Sequence, residues 1–271
     1  MKSPTLFVSL ILAVLAASAT SILAAEKGDL DRLLRTSNCA HCDLNGAVVR
    51  DAKLPGANLA GARLNDAELK SAVLTRANLG GAELRRAEME KADLTDARLV
   101  NAMMRGVDME KAILRHADFT GADLREADLS RTDLGNAILV EADLRGANLK
   151  RAVLVGARLP GAKMIGARLK RAVLSGAVLD DAKLQHAILV RARLNGASLR
   201  KADLRRADLG HADLMGADLR GADLTEAKLR AARLGGTNLS GVEGLGQGQL
   251  RRACGDAKTV LPPGLTLAPC K

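Results

Sequence analysis

From Cys42 to Gly241 the chain repeats itself every five residues, forty times in succession, without an insertion or a deletion. In the frame that begins Cys42-Asp43-Leu44-Asn45-Gly46, the third position is Leu in 34 of the 40 repeats, with Val49, Met89, Met104, Met109, Phe119 and Met164 as the exceptions. The first position is Ala in 36 of 40, the others being Cys42, Val107, Thr132 and Thr237. Along an α-helix a five-residue step rotates by about 500°, or about 140° net, so the Leu column would wind over every side and leave no polar face. A plain strand fails too, because its side chains alternate with a period of two. A chain that turns through about a right angle at every repeat keeps Ala and Leu inside and the other three positions in water. Ala is needed where chain segments converge on a narrow interior, and Leu fills the remaining space. Stacked coils of this kind pair their backbone groups in ladders, so the expected fold is all-β despite the Ala and Leu content.

Composition narrows the function classes. The chain has no Trp or Tyr and only Phe7 and Phe119. This excludes the aromatic stacking platforms that hold single-stranded nucleic acid and the aromatic-lined sites that hold sugars or flat cofactors. Lys and Arg number 41 against 31 Asp and Glu, a net charge of +10 that favours anionic partners.

Repeats such as Ala57-Asn58-Leu59-Ala60-Gly61 and Ala122-Asp123-Leu124-Arg125-Glu126 resemble the pentapeptide repeat family. The resemblance implies a right-handed quadrilateral parallel β-helix with four repeats per 20-residue coil, hence about ten coils over residues 42–241 and a stack about 48 Å long at ~4.8 Å per coil. Such a stack exposes edges at both ends and needs caps. Residues 26–41 supply Leu30, Leu33 and Leu34 at helical spacing, read as an amphipathic helix over the first coil. Residues 242–271 supply a helical turn or two at Gln247 to Cys254 and an irregular tail from Leu261. Some members of the family mimic DNA and bind type II topoisomerases through a strongly acidic surface, from which this basic chain departs.

Residues 1–25 read as a secretory signal peptide: Lys2, an apolar run from Leu6 to Ala17, and small residues before cleavage after Ala19 or Ala25. Export to the periplasm is therefore expected, with an uncleaved membrane anchor as the alternative. The four cysteines, Cys39, Cys42, Cys254 and Cys270, lie only near the two ends of the repeats and allow three pairings. Loop closure favours Cys39 with Cys42 and Cys254 with Cys270, each pinning its own end. Cys39-Ala40-His41-Cys42 is also compatible with a redox pair or a metal site, although two Cys and one His are too few for a closed zinc site.

No catalytic, cofactor-binding or metal-binding set is expected. A convex prism with an Ala/Leu interior offers no cleft, and His41, His116, His186 and His211 fall at different places on a 20-residue coil. Charge is the informative surface feature. From Asn148 to Ser198 the second position of the repeat carries no acid, and residues 145–202 hold thirteen Lys or Arg against only Asp180 and Asp181. Residues 20 apart stack, so Lys91, Lys111, Arg131, Arg151, Arg171 and Arg191 are expected to form one basic ladder, followed by His211. Val153, Val155, Ile165, Val173 and Val178 lie nearby as outward apolar residues. The ladder is either a solvated face or a docking strip for phosphate or carboxylate groups, which Arg grips in bidentate fashion. The expected function is a non-enzymatic periplasmic scaffold whose partner is an anionic envelope component, such as a phosphorylated glycolipid or anionic membrane surface, or an acidic protein. The alternatives are a nucleic-acid-binding module, which export argues against, a topoisomerase-interacting protein, and a thiol-disulfide protein using Cys39 and Cys42.

Overall fold

The computed structural model describes residues 28–270, and the leader predicted at residues 1–25 lies outside the described residues. The backbone coils with a pitch of 20 residues: parallel bridges join the second position of each repeat to the same position 20 residues on, from Asn38 with Asn58 to Asp223 with Glu243. Within one step of this ladder Leu44 N–H donates to Arg63 O (2.7 Å), Gly46 N–H to Asn65 O (2.9 Å) and Arg63 N–H to Cys42 O (2.9 Å). Four bridged positions per coil give the structure four sides, each a short extended segment ended by a turn.

The turn explains the length of the repeat. Ala47 N–H donates back to Leu44 O at 3.0 Å, closing a four-residue turn over Asn45 and Gly46, and the same bond recurs along the chain. Its third residue, the fifth of each repeat, has positive φ in all forty repeats, between 55° and 70°, as a type II turn requires. Glycine occupies this corner at 16 of the forty positions, and the other 24 carry a side chain. Elsewhere such a conformation costs an L-residue about 1–2 kcal/mol.

Both interior columns are buried. The Leu column from Leu44 to Leu239 and the Ala column from Ala57 to Ala232 lie at or below 3% exposure, with Phe119 and the four Met of the Leu column among them. The exceptions in the Ala column are accommodated one by one. Val107 is buried, and Thr132 and Thr237 are fully buried with their hydroxyls donating to Leu129 O and Leu214 O, each at 2.7 Å. Ala47 and Ala52, in the first coil, are only half-buried.

At the N-terminal end α1, residues 28–36, lies against the first coil. Of the three leucines expected to face it, Leu33 is buried and Leu30 packs on the core, but Leu34 is 52% exposed. One residue after Leu33, it is rotated by about 100° away from the contact. The Asp29 carboxylate accepts Asp43 N–H at 2.9 Å and ties α1 to the first repeat. Cys39 and Cys42 are bonded to each other beneath α1.

At the C-terminal end the pairing runs past Gly241, with Arg233 bridged to Cys254 and Asn238 to Val260. Helix α2, Gln247–Leu250, is a single turn, and Gln249 Nε2 donates to the last-coil carbonyls of Leu224 (2.8 Å) and Ala227 (3.0 Å). The tail is not wholly irregular. Strand β1, Cys254–Gly255, pairs in parallel with β2, Ala268–Pro269, because the Cys254–Cys270 disulfide holds the two segments together. Gln247 adds a second tie, its amide exchanging bonds with Thr266 N–H and C=O at 3.0 Å.

Candidate anion-binding face

The side chains that carry chemistry stand on the corners and on the residues just before them. Lys91, Lys111, Arg131, Arg151, Arg171 and Arg191 are all corner residues, with φ between 59° and 62°, and all are exposed. The coil places them in one column, because Arg131 N–H donates to Lys150 O (2.9 Å) and Arg151 N–H to Lys170 O (3.1 Å), fixing each rung on the next. His211 continues the column with φ 58°.

Electrostatically the column has two halves. Around Lys91 and Lys111 the same side carries Glu68, Glu88, Asp108 and Asp128 in its bridged positions, and Glu90 and Glu110 before the corners. Lys70 pairs with Glu88 (2.8 Å) and Glu90 (3.1 Å), and Glu110 is shared by Lys111 (3.1 Å) and Arg131 (3.2 Å). Asp108 is pushed above the usual carboxylate range, first by burial and also by Glu90, Asp128 and Glu110, against the opposing bond from Glu110 N–H. Above Arg131 the acids stop. Among the described residues Arg151, Arg171 and Arg191 form no ion pair.

The acids of the bridged position do more than cover a surface. Asp93, Asp118 and Asp128 each accept the N–H of the residue two further on, at 3.0, 3.0 and 2.8 Å, bracing the turn from within the repeat. Where Arg follows, the pair becomes doubly bonded: Arg125 donates to Asp123 at 2.7 and 2.6 Å, and Arg205 to Asp203 at 2.9 and 2.6 Å. These bonds hold the Asp123 and Asp203 carboxyls below their usual range. The belt from Asn148 to Ser198 lacks this arrangement because it lacks the acids. Among the described residues its arginines form no ion pair.

The expectation that a convex prism has no cleft is corrected. Long side chains standing on successive corners wall off a shallow groove of about 480 Å³, lined by Glu110, Ser130, Arg131, Asn148, Lys150, Arg151, Lys170 and Arg171. Lys150 and Lys170 are not among the residues expected from the sequence, although their 20-residue spacing in the position before the corner is the signal that marks them. Asn148 donates to both Asp128 oxygens (3.1 and 3.0 Å), while its own Oδ1 is buried without a hydrogen-bond partner. On the neighbouring side Val153 and Val155 are 36% and 44% exposed.

The remaining candidates stand apart from this groove. Cys39 and Cys42 are 0% and 3% exposed, and the Asp29 carboxylate lies within 4.8 Å of both sulfurs. With both sulfurs in a disulfide, that trio offers no thiolate to a metal. His41, His116, His186 and His211 occupy four different corners.

The profile described as pentapeptide repeats matches the chain repeatedly, over residues 34–70, 42–79, 72–110, 104–139, 137–176, 177–214 and 202–241. Among solved structures the chain is similar to HetL, a pentapeptide repeat protein involved in heterocyst differentiation regulation in Nostoc sp. strain PCC 7120, at 32% identity over 82% of this chain and 92% of that one, with a TM-score of 0.33. A pentapeptide repeat protein of the Arabidopsis thaliana thylakoid lumen is 33% identical over 39% of this chain and 70% of its own, with a TM-score of 0.28. QnrB1, a plasmid-mediated fluoroquinolone resistance protein, is 19% identical over 69% and 87%, with a TM-score of 0.35. No curated protein sequence matches the chain.

Proposed function

The chain belongs to the pentapeptide repeat family, whose members are generally structural or interaction modules, and we propose that it is a non-enzymatic scaffold of the cell envelope that docks an anionic partner on its basic belt. In this reading residues 1–25 direct export and are removed, about ten right-handed coils form the body, and the segments 26–41 and 242–271 cap it. The observation that carries the docking role is that Arg151, Arg171 and Arg191 form no ion pair among the described residues, on a column where Lys111 and Arg131 below them share Glu110. Unpaired arginines stacked one coil apart repel one another, and an anionic ligand seated on them supplies the negative charge that Glu110 supplies to Lys111 and Arg131.

The test is binding of the purified chain to phosphatidylglycerol and to phosphatidylcholine vesicles across a salt series, beside a variant carrying Arg131→Glu, Arg151→Glu, Arg171→Glu and Arg191→Glu. Binding to the anionic vesicles that weakens with salt and disappears in the variant is the expected result. Indifference of both proteins to both vesicles overturns the docking role and leaves a scaffold without this surface.

A further inference from the structure

We infer that the groove between the Arg131 and Arg171 rungs is a site for a sugar or polyol carrying two phosphomonoester groups, one phosphate seated on Lys150 and Arg151 and the other on Lys170 and Arg171. The inference rests on the docking role proposed above and narrows it to a ligand chemistry. Both pairs line one groove, and they are related by one step of the coil, since Arg151 N–H donates to Lys170 O. Adjacent rungs therefore stand about 4.8 Å apart along the axis. Each rung presents two cations, with no ion pair to either Lys150–Arg151 or Lys170–Arg171 among the described residues. Neutralising them takes about two negative charges per ~4.8 Å step. A phosphomonoester supplies about 1.5 to 2 charges on one tetrahedral centre, whereas a carboxylate or a phosphodiester supplies one. Phosphates on adjacent ring carbons are separated by about one such step, so the ligand spans two rungs without strain.

The floor of the groove points to the body of the ligand. Asn148 Oδ1 is buried and unpartnered, and its amide nitrogen is already committed to Asp128, so what it still lacks is a donor. A buried acceptor left unsatisfied is costly, and because Asn148 lines the groove, a turn of its side chain toward the groove brings Oδ1 to a hydroxyl of the sugar or polyol ring. Glu110 closes the lower end: bonded to Lys111 and Arg131, it places a carboxylate where a third phosphate would be repelled.

Calorimetric titration of the full chain with myo-inositol 4,5-bisphosphate, myo-inositol 1-phosphate and sulfate tests this directly. The bisphosphate is expected to bind at least about tenfold more tightly than the monophosphate, and sulfate more weakly than either. A variant with Lys150→Gln, Arg151→Gln, Lys170→Gln and Arg171→Gln should lose that preference. A second variant with Arg158→Gln, Lys163→Gln, Lys183→Gln and Arg193→Gln removes the same charge from the belt outside the groove and should keep it; melting curves establish that both fold. Equal affinity for bisphosphate and monophosphate, or equal losses in the two variants, overturns the site in favour of a diffuse basic surface. Vesicles bearing the same bisphosphate headgroup separate the sources once the soluble bisphosphate is preferred: equal affinity for the soluble compound and the vesicles identifies a free ligand as sufficient, and tighter binding to the vesicles identifies a lipid headgroup. If phosphatidylglycerol vesicles bind while the bisphosphate shows no preference, this inference fails and the docking role stands. If the bisphosphate is selected and phosphatidylglycerol vesicles do not bind, the inference stands and docking on an anionic membrane surface fails.

Discussion

The corner residue bears the conformational burden of each repeat, and the forty corners divide between glycine and side chains that adopt positive φ. Ala231, with φ 55°, has no long side chain to compensate, so Ala231→Gly should raise stability by up to about 1 kcal/mol, the relief of left-handed strain less the added freedom of the unfolded chain. Gly176, at φ 66° with open space around its missing Cβ, gives the converse. Gly176→Val should cost about 1–2 kcal/mol, read as a lowered urea midpoint with unchanged slope. Asp108 is a second residue with a sign to test. Its carboxyl is raised above the usual range by burial and by neighbouring acids, so the folded state holds its proton more tightly than the unfolded chain. The charged form therefore detracts from stability at neutral pH, and the penalty disappears as pH falls through the raised value. Asp108→Asn retains an acceptor for Glu110 N–H (3.0 Å) and should melt higher than the parent at pH 7, with the difference vanishing in acid. The alternation of Gly with Arg, Lys and His at the fifth position was legible in the sequence, as was the stacking of residues 20 apart. The turn-bracing role of the Asp column was not, because it depends on which way a side chain folds over its own backbone.

A pentapeptide is too short to be an element by itself; the coil is the smallest unit that closes, and it is held by interior Leu and Ala. Leu144 is fully buried, and Leu144→Ala should cost about 2–5 kcal/mol in thermal or urea unfolding, because the stack cannot collapse around the missing side chain without breaking its own ladder. At the ends, side chains and disulfides take over from repetition. The Cys254–Cys270 link spans 16 residues, and Cys254→Ser with Cys270→Ser should remove about 3 kcal/mol. Hydrogen exchange should localise the loss to the segment that bridges Arg233 and Asn238. Here the sequence was a partial guide. The repeat boundaries were plain, yet Asn38, one repeat ahead of Cys42, joins the ladder, as do Cys254 and Val260, which are out of phase with the five-residue frame, because a coil edge pairs with whatever extended backbone lies over it. The exposed Leu34 shows the opposite limit: helical spacing marks a face, and contact with a flat coil end uses only the centre of it.

Over the whole molecule, long-range order arises from a local rule applied forty times, so surface chemistry can change from coil to coil while the interior stays constant. That is how one side passes from an acid-rich lower half to the basic groove without any change of backbone. Circular dichroism of the chain should show β-structure despite the helix-forming composition, and a predominantly helical spectrum is incompatible with the ladder. The groove itself was beyond the reach of the sequence, since it is formed by the height of side chains standing on a flat wall rather than by any fold in the wall. The direction of the backbone hydrogen bonds carries one more consequence. They run from coil to coil, along the axis of the stack, so a pull applied to the two chain ends loads them one rung at a time. Under tension the molecule should pay out in equal lengths, each coil releasing about 60 Å of chain. The two disulfides sit where such unravelling would begin, and they make the protein a spool whose loose ends are knotted.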